Sequence, residues 1–188
     1  MDKQHPDSAY SSSVPTITTP WRTLLVLCGP AGCGKSTFAQ RLVEQHTHHA
    51  LRATTVVSSD CCRALVCDDE ANQQVNRDAF DLFHFIIQKR LLQERFTIAD
   101  STALQSQARL KLLELARRNH YSSLLLIFNI SAPTCLQRDL ERRRSVGEKV
   151  IARHTQLLQQ TLLAAPNEGW NQVYTLDEQN ENVQLNII

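Results

Sequence analysis

No window of the sequence is apolar for long enough to span a bilayer, which leaves the chain without an expected membrane partner. The N-terminus lacks the charged-then-apolar pattern of a secretory leader. None of the six cysteines (Cys28, Cys33, Cys61, Cys62, Cys67, Cys135) makes a C-x-x-C pair, and two lie in or beside a glycine-rich loop where a disulfide would fit poorly. Free thiols in a reducing cytoplasm are the simplest account. An excess of one charge is missing too: 20 basic against 19 acidic residues give a formal net charge of +1. No global field therefore draws the protein to nucleic acid or to a lipid surface, and any polyanion site must come from a local cluster. With 188 residues, one α/β domain with a well-buried sheet is expected, with little room for a second.

What is present centres on Gly29-Pro30-Ala31-Gly32-Cys33-Gly34-Lys35-Ser36, a G-x-x-x-x-G-K-S loop. It follows the apolar run Leu24–Cys28 and precedes Thr37–Val43, which has helical spacing. That context marks a phosphate-binding loop. Glycines let successive N–H groups curl inward toward phosphate oxygens, and the following helix adds the positive end of its dipole. Lys35 would reach the β- and γ-phosphates of ATP, and the Ser36 hydroxyl would take a Mg²⁺ position. A tight strand-to-helix turn with an incidental lysine is the competing reading.

Residues 1–20 are rich in Ser, Thr and Pro without apolar periodicity, so a disordered lead-in is expected, with order from Trp21 to Ile188. His5 falls in it. The segment Glu44–His49 holds three histidines (His46, His48, His49) and reads as a solvated loop rather than a metal site. A strand is expected at Thr54–Val57 and a helix over Val75–Glu94, whose Phe80, Phe83 and Phe85 read as core. Further strands are expected at Arg95–Ala99, Leu124–Phe128 and Gln172–Leu176. Helices are expected over Gln105–Asn119, from Pro133, and over Glu148–Ala164, with a break at Gly147. Strands alternating with helices imply a parallel sheet flanked on both faces, with ligands at the carboxyl ends of its strands. The phosphate loop, Asp60 and Asp100 all fall at such ends.

Asp60-x-x-Arg63 follows the second strand of this pattern. A carboxylate there can take a proton from an acceptor hydroxyl and aim it for in-line attack, while Arg63 could clamp an acceptor phosphate or carboxylate. A helix cap, filled by Ser59 or Asp60, is the competing role. Arg138 and Arg142, four apart, are expected on one helix face within a lid of about 133–149 that steadies charge on the transferring phosphoryl group. Arg143 and Arg144 read as solvated or paired with Glu141 and Glu148. Asp100 matches a carboxylate that orders Mg²⁺ waters, against a cap for the turn through Ser101 and Thr102.

Taken together, G-x-x-G-x-G-K-S-T-F-A, S-S-D-x-C-R, Asp68-Asp69-Glu70, Asp100-Ser101-Thr102, C-x-x-R-x-x-x-R and V-I-x-R-H-T resemble the 5′-hydroxyl polynucleotide kinase module of bacterial RNA end-healing enzymes, over about residues 24–176. The resemblance implies a P-loop kinase-type parallel sheet flanked by helices with an arginine-bearing lid. It implies transfer of the γ-phosphoryl of ATP, with Mg²⁺, to the 5′-OH end of RNA or DNA. Gly29 to Thr37 with Arg138 and Arg142 would hold ATP. Asp60 would be the general base, Arg63 would engage the phosphate beside the terminal nucleoside, and Val150 to Arg153 would lie near its base. The family's D-A-T-N stands here as Asp100-Ser101-Thr102-Ala103, so the hydrogen bond of that Asn is absent. The phosphatase and ligase modules often fused to such kinases are not in the sequence, and separate proteins would supply those steps. Two other readings stay open: a P-loop kinase for a sugar, nucleoside or antibiotic, and a nucleotide-gated regulatory protein.

Overall fold

The computed structural model describes residues 16–49, 51–142, 145–180 and 183–188. The chain runs β1 (Thr16–Thr19), β2 (Thr23–Cys28), α1 (Lys35–Gln45), β3 (Val56–Ser58), α2 (Ser59–Cys67), α3 (Asn76–Leu92), β4 (Thr97–Asp100), α4 (Ser106–Arg118), β5 (Ser122–Phe128), α5 (Ala132–Leu140), α6 (Glu148–Ala164), β6 (Gln172–Leu176) and β7 (Gln184–Ile187). Five strands make one parallel sheet in the order β3-β4-β2-β5-β6. β2 and β4 are buried along their whole length, as apolar runs covered on both faces must be.

Alternation along β2 sorts its side chains between two cores. Leu24, Val26 and Cys28 meet Phe83, Ile87 and Leu91 of α3 and Leu112, Leu113 and Ala116 of α4. Leu25 and Leu27 meet Phe38, Ala39 and Leu42 of α1. Each fully buried Leu, Ile or Phe contributes about 1.5–3 kcal/mol relative to exposure. From β2 the chain crosses through α1 to β3 on one side, and from β4 through α4 to β5 on the other. The strand order therefore reverses at the carboxyl end of β2, the place where such sheets open a ligand crevice.

Order begins earlier than Trp21. β1 pairs in parallel with β7, a strand that the sequence pattern does not announce, and Ile17, Leu185 and Ile187 cap the α1-side core. Residues 1–15 of the lead-in lie outside the described residues. The solvated loop expected at Glu44–His49 is also corrected. α1 runs through Gln45, and buried His46 sets its two ring nitrogens 3.0 Å from the Leu42 carbonyl and 2.6 Å from that of Leu185. Phe83 is core as expected, but Phe85 is 55% exposed beneath the Lys89 ammonium.

Candidate active site

The loop between β2 and α1 owes its shape to glycines at two decisive points. Gly34 caps α1 with φ +96°, and Gly32 has φ +79°. A Cβ at Gly32 would lie 2.2 Å from the Cys135 carbonyl oxygen, so only glycine lets the loop pass under α5 this closely. Lys35 is buried, its ammonium donating to the carbonyls of Gly29 (2.9 Å) and Pro30 (2.6 Å). The Ser36 hydroxyl donates to Asp100 Oδ2 at 2.8 Å.

Asp100 reaches this position through strand register, since Leu27 of β2 is its partner in the ladder. Burial pushes its carboxyl pKa up, against the opposing pull of Lys35 and of the Ser36 hydroxyl. More weakly, the charge of Asp60 raises it and that of Arg142 lowers it. An accessible hydroxyl paired with a buried carboxylate at the end of a phosphate loop is an all-oxygen donor set, which suits a hard divalent cation such as Mg²⁺.

At the head of α2 the cap is neither Ser59 nor Asp60. Ser58 Oγ accepts from the backbone N–H of Asp60 (3.2 Å) and Cys61 (3.4 Å). The Asp60 carboxylate is thereby released from capping and stands largely exposed, ion-paired to Arg63 Nη2. Arg63 itself is buried. Its Nε donates to the Glu70 carbonyl (2.8 Å) and its Nη1 to Asn76 Oδ1 (3.1 Å). All three nitrogens of the guanidinium thus serve protein acceptors, and the group braces Asp60 against the turn before α3.

The paired-arginine expectation needs one correction. Arg138 is on α5, with Nη1 3.6 Å from where a Gly34 Cβ would stand, but α5 ends at Leu140 and Arg142 lies beyond it. Asp139 is the cause. Its buried carboxylate accepts from Ser145 Oγ (2.6 Å) and from the N–H groups of Val146 (2.9 Å) and Gly147 (3.1 Å), folding the chain back toward α6. Burial opposes that charge, but these hydrogen bonds outweigh it and hold the carboxyl below its ordinary range. Arg143 and Arg144 lie outside the described residues. Pro30, Ala31, Cys33 and Thr37 sit in or beside the loop as expected, whereas Val150 and Arg153 occupy exposed positions on the first turns of α6.

Sequence reasoning missed two groups. His154 of α6 accepts a hydrogen bond at Nδ1 from the Ala31 N–H of the loop (3.3 Å), although helical periodicity places it among apolar packing positions. Arg109 of α4, completely buried, donates to the carbonyls of Ala103 (3.0 Å) and Leu104 (2.9 Å) and pairs with Glu168. It holds the turn that follows Asp100. A lone arginine on an amphipathic helix carries no local signal for that role.

The family model described as an AAA domain (AAA_33) matches residues 24–164, three quarters of the chain. No curated protein matches it. Among solved structures, a chain of the Pnkp1/Rnl/Hen1 RNA repair complex superposes with a TM-score of 0.64 at 17% identity, covering 77% of this chain and 46% of that one. A gluconokinase from Sinorhizobium meliloti 1021 gives 0.54 at 16% identity over 85% and 84% of the two chains. The Mycobacterium tuberculosis APS kinase CysC gives 0.54 at 13% identity over 85% and 90%. At these identities the likeness is one of fold, an α/β sheet flanked by helices with a phosphate loop at its carboxyl edge. By the span of the family match and by the loop, sheet and helices that carry it, this chain belongs to the AAA_33 family of P-loop kinases.

Proposed function

We propose that this P-loop phosphotransferase is an ATP-dependent polynucleotide 5′-hydroxyl kinase acting on RNA or DNA ends. The observation that carries the reading is Asp60: an exposed carboxylate, relieved of helix capping by Ser58 and braced by Arg63, within electrostatic reach of Asp100 beside the phosphate loop. In this reading the backbone N–H groups of Gly32–Ser36 and the Lys35 ammonium bind the triphosphate within the loop Gly29–Thr37, and Ser36 with Asp100 holds Mg²⁺. That ion, when bound, would neutralise charge on the phosphate oxygens. Asp60 accepts the proton of the acceptor hydroxyl as it attacks, and Arg138 with Arg142 meets the negative charge spread over the transferring group. Val150 and Arg153 flank the acceptor's terminal base. Separate phosphatase and ligase proteins would complete end healing, a pairing in keeping with the repair complex among the structural neighbours.

Protein incubated with Mg²⁺ and γ-labelled ATP should label a 5′-OH oligonucleotide. Asp60→Ala should cut that labelling by about 10²–10⁴-fold, the usual worth of a positioned base. Lys35→Ala should abolish it, with circular dichroism unchanged in both variants. Labelling that survives Asp60→Ala removes Asp60 as the base. One observation favours a second reading, a small-molecule kinase: Arg63 is buried and committed to Asp60, Glu70 and Asn76 rather than turned toward an acceptor phosphate. Comparing a nucleoside with its 3′-monophosphate separates the two. Preference for the phosphate supports the polynucleotide reading, and equal use supports the alternative.

A further inference from the structure

The arc Pro30–Ala31 is flanked by Gly29 (φ +156°) and by Gly32 (φ +79°). Two side chains tether it. Lys35 donates to the carbonyls of Gly29 and Pro30, and His154 receives the Ala31 N–H. In the reaction proposed above Lys35 turns to the phosphates and gives up those carbonyls. His154 then remains to hold the arc.

His154 is well placed for this. Ile151, one turn earlier on α6, is buried in the same core as Cys33 of the loop and Cys135 of α5, so the helix cannot rotate away. The charged groups acting on the imidazole are Lys35, at the head of α1, and Arg153, its neighbour on α6. Burial first, and then these two cations, push its pKa down. The ring therefore stays neutral, and Nδ1 keeps the lone pair that accepts from Ala31.

The geometry points to His154 as a positioning residue of the phosphate loop: through Nδ1 it fixes the Ala31 amide and so presets the loop's curvature for the triphosphate. This rests on the nucleotide-binding part of the proposed function and not on the identity of the acceptor. It makes His154 a link by which α6, which also carries Val150 and Arg153, is held in register with the loop.

The test is calorimetric binding of Mg²⁺ with a non-hydrolysable ATP analogue to the full chain. His154→Ala should weaken binding by about three- to tenfold, the worth of one hydrogen bond. His154→Asn, whose Oδ1 stands where Nδ1 stood, should restore most of that loss. His154→Gln, whose carbonyl reaches the Nε2 position instead, should not. If the alanine variant fails to fold, the Asn/Gln contrast decides alone, because a packing role would favour the larger glutamine. In ¹⁵N spectra the His154 Nδ1 should resonate as an unprotonated nitrogen. Equal affinity of the Asn and Gln variants, or a protonated Nδ1, overturns the assignment while leaving the kinase reading intact. Failure of the unsubstituted protein to bind the analogue overturns both.

Discussion

Gly32 and Gly147 both have positive φ, +79° and +87°, yet alanine should affect them very differently. At Gly147 nothing lies within 4 Å of the added methyl, so Gly147→Ala should cost only the backbone strain of φ 87°, ψ 160°, about 1–3 kcal/mol. At Gly32 the same methyl meets the Cys135 carbonyl at 2.2 Å, and backbone on both sides has no soft way to yield. Gly32→Ala should therefore push α5 off the loop as well as strain it. Thermal melts should place the Gly32 variant several degrees below the Gly147 variant, and analogue binding should be lost in the former alone. Three of the buried cysteines are not reactive handles. Burial drives the thiol of Cys28 up to about 12 and those of Cys62 and Cys135 up to about 11, far from the thiolate range.

Among the elements, helix ends offer the cleanest tests. α4 closes in a turn in which the Tyr121 N–H donates to the Ala116 carbonyl (2.9 Å) and that of His120 to Arg117 (3.1 Å), with His120 at φ +57°. Glycine is the residue this end prefers. His120 is exposed, so His120→Gly should stabilise the protein by about 1 kcal/mol, a rise in Tm of about 2–4 °C. α5 ends for a different reason. The Asp139 carboxylate gathers the N–H groups of Val146 and Gly147, which helical spacing of Arg138 and Arg142 could not announce. α3 carries an acid-sensitive site in His84, whose pKa is lowered to about 4 by burial and by Lys111 of α4. The unfolded chain binds that proton near pH 6.5 and the folded chain does not. Stability should therefore fall as pH drops from about 6.5 toward 4, and His84→Leu should flatten that part of a Tm-against-pH curve.

For the molecule as a whole, the Arg109–Glu168 pair joins what the chain keeps far apart. Glu168 follows α6, and through Arg109 it secures Ala103 and Leu104, immediately after Asp100. Thr161 Oγ1 donates to the same Leu104 carbonyl at 2.9 Å, and Gly29 N donates to the Thr102 carbonyl at 2.9 Å. Glu168→Ala leaves a buried guanidinium without its counter-charge and should cost about 3–5 kcal/mol. The double variant Arg109→Met, Glu168→Leu should recover most of that stability in denaturant titrations but not the activity, because the turn after Asp100 loses its donors.

Much of this was legible before any coordinates. An eight-residue loop between an apolar run and a helical segment, acidic residues closing two strands, and apolar runs without alternation together specify a parallel sheet with a phosphate site at its carboxyl edge. These signals are local: a glycine's freedom, a strand's burial on both faces and a helix's spacing are written within a few residues of one another. Tertiary structure alone decided that Arg63 turns inward, that order begins at β1 rather than Trp21, and that His154 and Arg109 belong to the site. Each of those depends on a partner beyond the local turn, in most cases on another element far along the chain. A hydrogen bond is short-ranged in space but indifferent to sequence separation, so only the packed sheet and helices determine which donor meets which acceptor.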